Sequence, residues 1–245
     1  MRAHLSIIVT AYNKPPEQII ECMESIKEQT VKPLEVILVD DCSKDPRAHA
    51  LATSIMLPKN VGVAEARNIG VRMSKGQLLL FLDADDKLAP DFIEQCGRVI
   101  TNCDIAYPNV LKFGNVEINK LVDAPDNVDP AYIIGRGRTR EFGLVVTSMI
   151  KREMYFTLGG FKDLPIFEDW DFWIRAMFNG YTFAKANTIL YYRQNRPEDG
   201  SRNRNSLELK ADIRRQITSP FEVKEGKLVK KGIDGKQKNQ NTQGN

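Results

Sequence analysis

The sequence predicts an α/β fold: a mostly parallel sheet flanked by helices, followed by a smaller and more mixed region. Two observations predict it. Short runs rich in Leu, Ile and Val alternate with segments of helical periodicity through the first part of the chain, the order that gives parallel strands covered on both faces. Several of these runs end in carboxylates, as in "LEVILVDDCS" and "LLLFLDADD". In such sheets ligands bind beyond the carboxyl ends of the strands.

The elements follow in order. "LSIIV", Leu5 to Val9, is the first buried strand. "PPEQIIECMESIKEQ" then sets Ile19, Ile20, Met23 and Ile26 on one helical face, with Pro15 and Pro16 at its start. "LEVILVDDCS" is a second strand, and "VGVAEARNIGVRMSKG" a helix from about Val63 stopped by Gly76. Gln77 to Leu82 forms the next strand, and a helix runs from about Pro90 to Ile100. Beyond Asp104, "DIAYPNV" and "VEINKL" read as strands around a Gly-Asn turn, and "GLVVTSMI" as another buried strand. "LGGF" is a tight turn whose glycines take backbone angles closed to other residues. "EDWDFWIRAMFNG" is a helix ended by Gly180, "TFAKANTILYYR" a strand, and "SLELKADIRRQI" a last amphipathic helix. These divide the chain into a first half (1–104), a second half of the same domain (105–217) and a basic, polar, partly disordered tail (218–245).

Composition bounds the function. The 245 residues are 42% hydrophobic and 27% charged, ordinary for a globular chain. Net charge is +3, and the tail from Phe221 holds six Lys against three acidic residues, which leaves the body formally neutral. No nucleic-acid footprint is implied; weak contact of the tail with an anionic membrane surface is the most that its charge suggests. No apolar run is long enough for a transmembrane segment, and the N-terminus reads as a strand and not as a signal peptide. Cys22, Cys42, Cys96 and Cys103 form no CxxC pair, so reduced thiols and a cytoplasmic location are expected.

The carboxylates carry the chemistry. Asp83, Asp85 and Asp86 crowd into four positions after a strongly apolar strand, where like charges repel unless something positive sits between them. A hard divalent cation, Mn²⁺ or Mg²⁺, meets that need with oxygen ligands. Thr10, Tyr12 and Asn13 follow the first strand, Asp40 and Asp41 the second, Arg67 lies on the next helix, and Glu168, Asp169 and Asp171 open a later one. Singly, each has a structural explanation as a cap, a turn or an exposed charge. Their convergence on one rim does not. The first loop, "TAYNKPPEQ", has no glycine, which excludes a dinucleotide Rossmann turn and a Walker loop. It leaves room for a nucleotide held edge-on, with Asp41 accepting from a base N–H, Tyr12 against the ring and a cation at the DxD end for the diphosphate.

From Leu5 to Arg193 the chain resembles the family 2 glycosyltransferases of the GT-A fold. The resemblance is carried by "SIIVTAYN", "SIKEQTVKPLEVILVDDCSKD", "NVGVAEARNIGVRMSKGQLLLFLDADD" and "LGGFKDLPIFEDWDFWIR", in family order and spacing. It implies a GT-A nucleotide-sugar-binding fold in which Thr10 and Tyr12 pack on the nucleotide, Asp41 reads the base and Arg67 lies near the diphosphate. Asp83 then contacts the ribose, Asp85 ligates the metal, and Asp169 of "ED" is the general base. The implied reaction moves a sugar, with inversion, from a nucleotide-diphosphate sugar (a UDP-sugar by the Asp41 reading) to a glycan, lipid-linked or other hydroxyl acceptor. Two departures stand out. The histidine that many members carry near the last strand is replaced in "YYRQNRPEDGSRNRN", where Arg193, Arg196 or Arg202 is left for its electrostatic part. A QxxRW motif is absent, which counts against a processive synthase.

Rival classes remain. A Mg²⁺-dependent phosphoryl-transfer protein also gathers carboxylates at strand ends, but the first strand here ends in Thr10 and Tyr12 and not in an Asp nucleophile. A sugar nucleotidyltransferase needs a Gly-rich first loop. A non-catalytic nucleotide-sugar-binding module does not need Asp83, Asp85 and Asp169 intact.

Overall fold

A computed structural model describes residues 4–45, 53–114, 120–136, 145–194 and 207–231. Strand β1 (Leu5–Ala11) is buried at every position, as a strand must be when helices cover both faces of its sheet. It pairs in parallel with β2 (Glu35–Asp40) on one side and with β4 (Leu78–Asp83) on the other; β3 (Thr53–Met56) adds in parallel beyond β2. Thr10 lies opposite Asp83 and Ala11 opposite Asp40. The carboxyl ends of three strands therefore finish level, and the carboxylates share one rim as the sequence predicts.

Alternation along β1 divides the core. Leu5, Ile7 and Val9 meet Ile19, Cys22 and Ile26 of helix α1 (Pro16–Lys27), which begins with proline at its first positions. Ile8 faces the other way, against Ala64, Ala66 and Val71 of α2 (Val63–Met73). Gly70 lets α2 sit this close, for a Cβ there would lie 2.4 Å from Ile8 Cγ2. After β4 come a two-residue strand β5 (Lys87–Leu88), α3 (Phe92–Val99) and a 3-10 turn. The sequence reading missed β3 and β5, which are short and carry little pattern.

The second half continues the same sheet. Its elements are β6 (Ile105–Gly114), β7 (Lys120–Val122), α4 (Pro130–Arg136), β8 (Met149–Lys151), α5 (Arg152–Thr157), α6 (Glu168–Phe178), β9 (Phe183–Gln194) and α7 (Leu207–Thr218). Strand order among the described residues is β3-β2-β1-β4-β8-β6-β9-β5, with β7 on the side of β6. β8 runs antiparallel to both β4 and β6, whereas β9 is parallel to β6. β6 thus points the same way as β4, and the ends of β6 and β9 arrive at the carboxylate rim.

Two segments differ from the sequence reading. Of "GLVVTSMI", only Met149 and Ile150 are strand among the described residues; Ser148 folds back on its own loop, donating its hydroxyl to the Val145 carbonyl at 2.9 Å. The polar tail begins with a hairpin, β10 (Phe221–Lys224) and β11 (Lys227–Lys230). Its turn has positive φ at Glu225 (49°) and Gly226 (72°), the geometry that suits a two-residue hairpin loop. Leu228 buries into the main core, and Phe221 packs 5.3 Å from Phe178. Residues 232–245 lie outside the described residues, as do Arg196, Arg202 and most of the turn between β6 and β7.

Candidate active site

The loops after β1 and β2 are stitched together. Asn13 takes a left-handed φ of 49°, a conformation that Asn tolerates better than most residues. Its backbone N–H donates to Ser43 Oγ at 2.8 Å, and its side-chain oxygen accepts from the Lys44 N–H at 3.0 Å. Tyr12 is left 45% exposed on this rim. Thr10 is buried, and its hydroxyl donates to Asp83 Oδ1 at 3.3 Å.

Asp41 is held from three sides. Oδ1 accepts from the Val61 N–H at 2.7 Å; Oδ2 accepts from the Gly62 N–H at 2.9 Å and from Asn60 Nδ2 at 2.8 Å. Gly62 precedes α2, so this carboxylate fixes the start of the helix that carries Arg67. Burial pushes its pKa up, and the N–H donors oppose that shift. The second lone pair of Oδ1 is the part of this group that a ligand N–H can still address.

The crowded carboxylates at the end of β4 each meet a basic residue from a different element. Asp83 Oδ1 accepts from Arg67 Nη2 at 2.8 Å. Asp85 Oδ2 accepts from Lys14 Nζ at 2.5 Å. Asp86 Oδ1 accepts from the backbone N–H of Arg193 at 2.8 Å, while the Arg193 guanidinium donates to the Asp85 carbonyl at 3.1 Å and to Glu21 at 2.6 Å. Burial raises the Asp86 pKa, and the Asp85 and Asp83 charges push the same way. Of the three arginines considered for the missing histidine, Arg193 is the one within the described residues, and it stands on the DxD rim with Phe113 under its guanidinium.

Among the described residues no three His, Cys, Asp or Glu side chains form a ready metal cage. Mg²⁺ needs none, since it binds through one or two carboxylates with phosphate oxygens and water completing its shell. Asp85 already accepts a cation at ion-pair distance, and its oxygens are the hard donors such an ion takes. The donor set fits a divalent ion that arrives with a diphosphate.

Arg67 joins the two halves. It is 0% exposed, and its Nη1 donates to Glu168 Oε1 at 2.7 Å while Nη2 holds Asp83. The surface charge that position 67 permits on a helix is therefore not what is found. Its neighbour Asn68 holds the "LGGF" turn: Asn68 Oδ1 accepts from the Phe161 N–H at 3.1 Å and from the Tyr155 hydroxyl, and Asn68 Nδ2 donates to the Phe161 carbonyl at 3.0 Å. Gly159 and Gly160 both take positive φ in that turn, as expected. Arg175 closes it, donating to the carbonyls of Leu158 and Gly160.

Helix α6 opens after Phe167, a left-handed residue with φ of 63°. Non-glycine residues in that region carry strain, often at functional sites. Glu168 is buried on Arg67, and Asp171 is buried between Lys162 (3.0 Å) and Arg175 (2.7 Å). Asp169 is the partly exposed carboxylate of the three. Trp170 and Trp173 are both core residues, and Trp170 Nε1 donates to the Ile133 carbonyl at 2.8 Å.

The sequence profile of glycosyl transferase family 2 matches residues 6–141, the span that holds Thr10, Asp41, Arg67 and the DxD rim. The chain belongs to glycosyl transferase family 2. A relative from Haemophilus influenzae, described as an uncharacterized glycosyltransferase, is 32% identical over 202 residues, covering 77% of this chain and 67% of the relative. The Bacillus subtilis glycosyltransferase YwdF is 31% identical over 181 residues, covering 70% of this chain and 67% of YwdF. The fold is also that of S. aureus TarS residues 1–349, solved in complex with UDP-GlcNAc, with a TM-score of 0.69 at 19% identity over 89% of this chain and 65% of that one. The chain thus spans about two thirds of the length of these relatives.

Against this family fold, Thr10, Arg67, Asp83 and Asp85 share one connected rim, and Asp41 anchors the helix behind it. Asp169 stands one residue from the far end of the Arg67 bridge. Sequence reasoning missed Lys14, Glu168 as the partner of Arg67, and the turn-holding pair Asn68 and Arg175. A cation inside a loop facing three carboxylates was the available signal for Lys14. A buried bridge spanning 101 positions leaves none.

Proposed function

We propose that this protein transfers a sugar from a nucleotide-diphosphate sugar, of the UDP type, to an acceptor hydroxyl with inversion at the anomeric carbon. The observation that carries this is the Arg67 bridge, which ties Asp83 of the DxD motif to the acidic opening of α6. The complexes of TarS with UDP-GlcNAc and UDP support a uridine nucleotide, as does the remaining acceptor capacity of Asp41 toward an imide N–H.

In this reading Thr10 and Tyr12 line the nucleotide, Asp41 reads its base and Asp83 meets the ribose. Arg67 adds positive charge beside the diphosphate. Asp85 would hold Mn²⁺ or Mg²⁺, which supplies Lewis-acid neutralisation of the leaving group. Asp169 takes the acceptor proton. In-line attack then forms the new C–O bond as the bond to the nucleoside diphosphate breaks, and the acceptor is a glycan, a lipid-linked or another hydroxyl compound. The cytoplasm is the compartment this reading requires. It is supported by four free thiols, as a reducing compartment leaves them.

The test is release of nucleoside diphosphate from a panel of nucleotide sugars with Mn²⁺, with EDTA, and in Asp85→Ala. Turnover of a UDP-sugar that needs both the ion and Asp85 is expected. Metal-independent turnover, or preference for CDP or CMP donors, overturns the assignment.

A further inference from the structure

We propose that Lys14 is a built-in counter-cation for Asp85, which a divalent ion must displace, so that Lys14 sets the metal affinity of the nucleotide-free site. This rests on the reading of Asp85 as the metal-holding carboxylate.

Three features of the chain point to it. The first is contact: Lys14 Nζ lies 2.5 Å from Asp85 Oδ2, and the pair joins residues 71 positions apart. The ammonium therefore occupies one of the two carboxylate oxygens that an incoming ion would need. The second is placement. Lys14 follows Asn13, whose backbone and side chain are both tied to the loop after β2. It precedes Pro15, which has a φ of −54°, and proline biases the residue before it away from the helical region. The stem of Lys14 thus starts from a fixed point aimed at the rim.

The third is the choice of residue. Two other cations of the rim are arginines locked by several bonds each: Arg67 between Asp83 and Glu168, Arg193 between Glu21 and the Asp85 carbonyl. An arginine fork on Asp85 would close the site in the same way. Lysine is a compact charge on a flexible stem. The Lys14 side chain is 25% exposed against 9% for Asp85, so the lysine is the more solvent-facing partner of the pair. It neutralises Asp85 beside Asp83 and Asp86 when no ion is bound, and it withdraws when one arrives. Where both meet Oδ2, the dication is held about twice as strongly as the ammonium and repels it, so the ammonium is the one that yields.

Mn²⁺ alone, titrated into the full chain without nucleotide and followed by electron paramagnetic resonance, tests this. Lys14→Met should bind Mn²⁺ about tenfold or more tightly than the parent, and Lys14→Arg no more tightly than the parent. A gain of affinity cannot come from a damaged fold. Equal or weaker binding in Lys14→Met, or no binding in either protein, overturns the proposal. Asp85→Asn separates the two levels. If Asp85→Asn binds Mn²⁺ as the parent does, the metal assignment itself fails; if it loses binding while Lys14→Met matches the parent, only the role of Lys14 fails.

Discussion

Arg67 and Glu168 meet at 2.7 Å across 101 positions of sequence, both almost without solvent exposure. The same guanidinium reaches Asp83 at 2.8 Å, so one planar group spans the end of β4 and the first turn of α6. A fork with two separated nitrogens can hold both acceptors at once; an ammonium is a single point. The first half of the chain and helix α6 are thereby held in one geometry by a side chain whose partners no sequence spacing reveals.

Arg67→Met should therefore cost stability heavily. Removing one member of a buried ion pair typically costs about 3 kcal/mol or more, because a desolvated charge remains behind. For a chain of this size that corresponds to a fall in Tm of roughly 6–12 °C. Arg67→Lys should recover part of it by meeting one carboxylate. Calorimetric melting of the three proteins checks this, and a Tm for Arg67→Met within about 2 °C of the parent contradicts the bridge.

Gly70 and Gly97 make a matched pair. Alanine favours a helix over glycine by about 1 kcal/mol at either site. At Gly70 the new Cβ would lie 2.4 Å from Ile8 Cγ2 and 3.2 Å from Val39 Cγ2, and Ile8 is fully buried and held in β1. Overpacking there costs about 1–3 kcal/mol, which outweighs the helical gain. At Gly97 in α3 nothing lies within 4 Å. Gly70→Ala should lower the denaturant midpoint and Gly97→Ala should raise it; a rise in both would mean that α2 can move off the sheet.

The legible part of this chain is local and periodic. β1, β2 and β4 announce themselves as apolar runs, and their common rim follows from parallel pairing, so the shared position of Asp83, Asp85 and Asp41 at the strand ends is legible in the sequence. The register that sets Thr10 opposite Asp83 adds detail without changing that reading. What stayed hidden depends on contacts between distant segments. "GLVVTSMI" reads as one long strand, yet the antiparallel pairing of β8 with β4 starts only at Met149. The hairpin at 221–230 is polar on its outer face, and its anchor on the core is Leu228 with Phe221 beside it, too few apolar positions to show a period. The burial of Arg67 and the hold of the loop before α2 on Asp41 are tertiary facts that no spacing rule contains.

Tyr155 gives an alkaline signature. Burial pushes its phenol up to about 12, whereas an unfolded tyrosine ionises near pH 10. Its folded pKa is raised, so its contribution to stability is complete below about pH 10 and is lost as pH rises through about 12. Between those values the unfolded chain gives up this proton and the folded one keeps it. Tyr155→Phe should start less stable, having lost the hydroxyl bond to Asn68, but its Tm should fall less steeply across that window. Parallel slopes for the two proteins would show that the phenol is not shielded.

In the proposed reaction the general base is chosen between neighbours on one turn. Successive helical residues point about 100° apart, so Glu168 and Asp169 cannot serve the same direction. Glu168 faces inward onto Arg67, and Asp171, on the same side, is committed to Lys162 and Arg175. Asp169 keeps partial exposure at the helix N-terminus, where the macrodipole helps keep a carboxylate ionised, as a base must be. Asp169→Asn should lower kcat for transfer by about 10²-fold or more, the scale of lost acid–base catalysis, with UDP affinity and Tm unchanged. Glu168→Gln should show the opposite signature: a lower Tm, because an amide replaces the partner of a buried guanidinium, and a smaller loss of kcat in the protein that remains folded. Near-normal transfer in Asp169→Asn beside a dead but stable Glu168→Gln would move the base to Glu168, and would leave the Arg67 contact as the means of holding it in its ionised form.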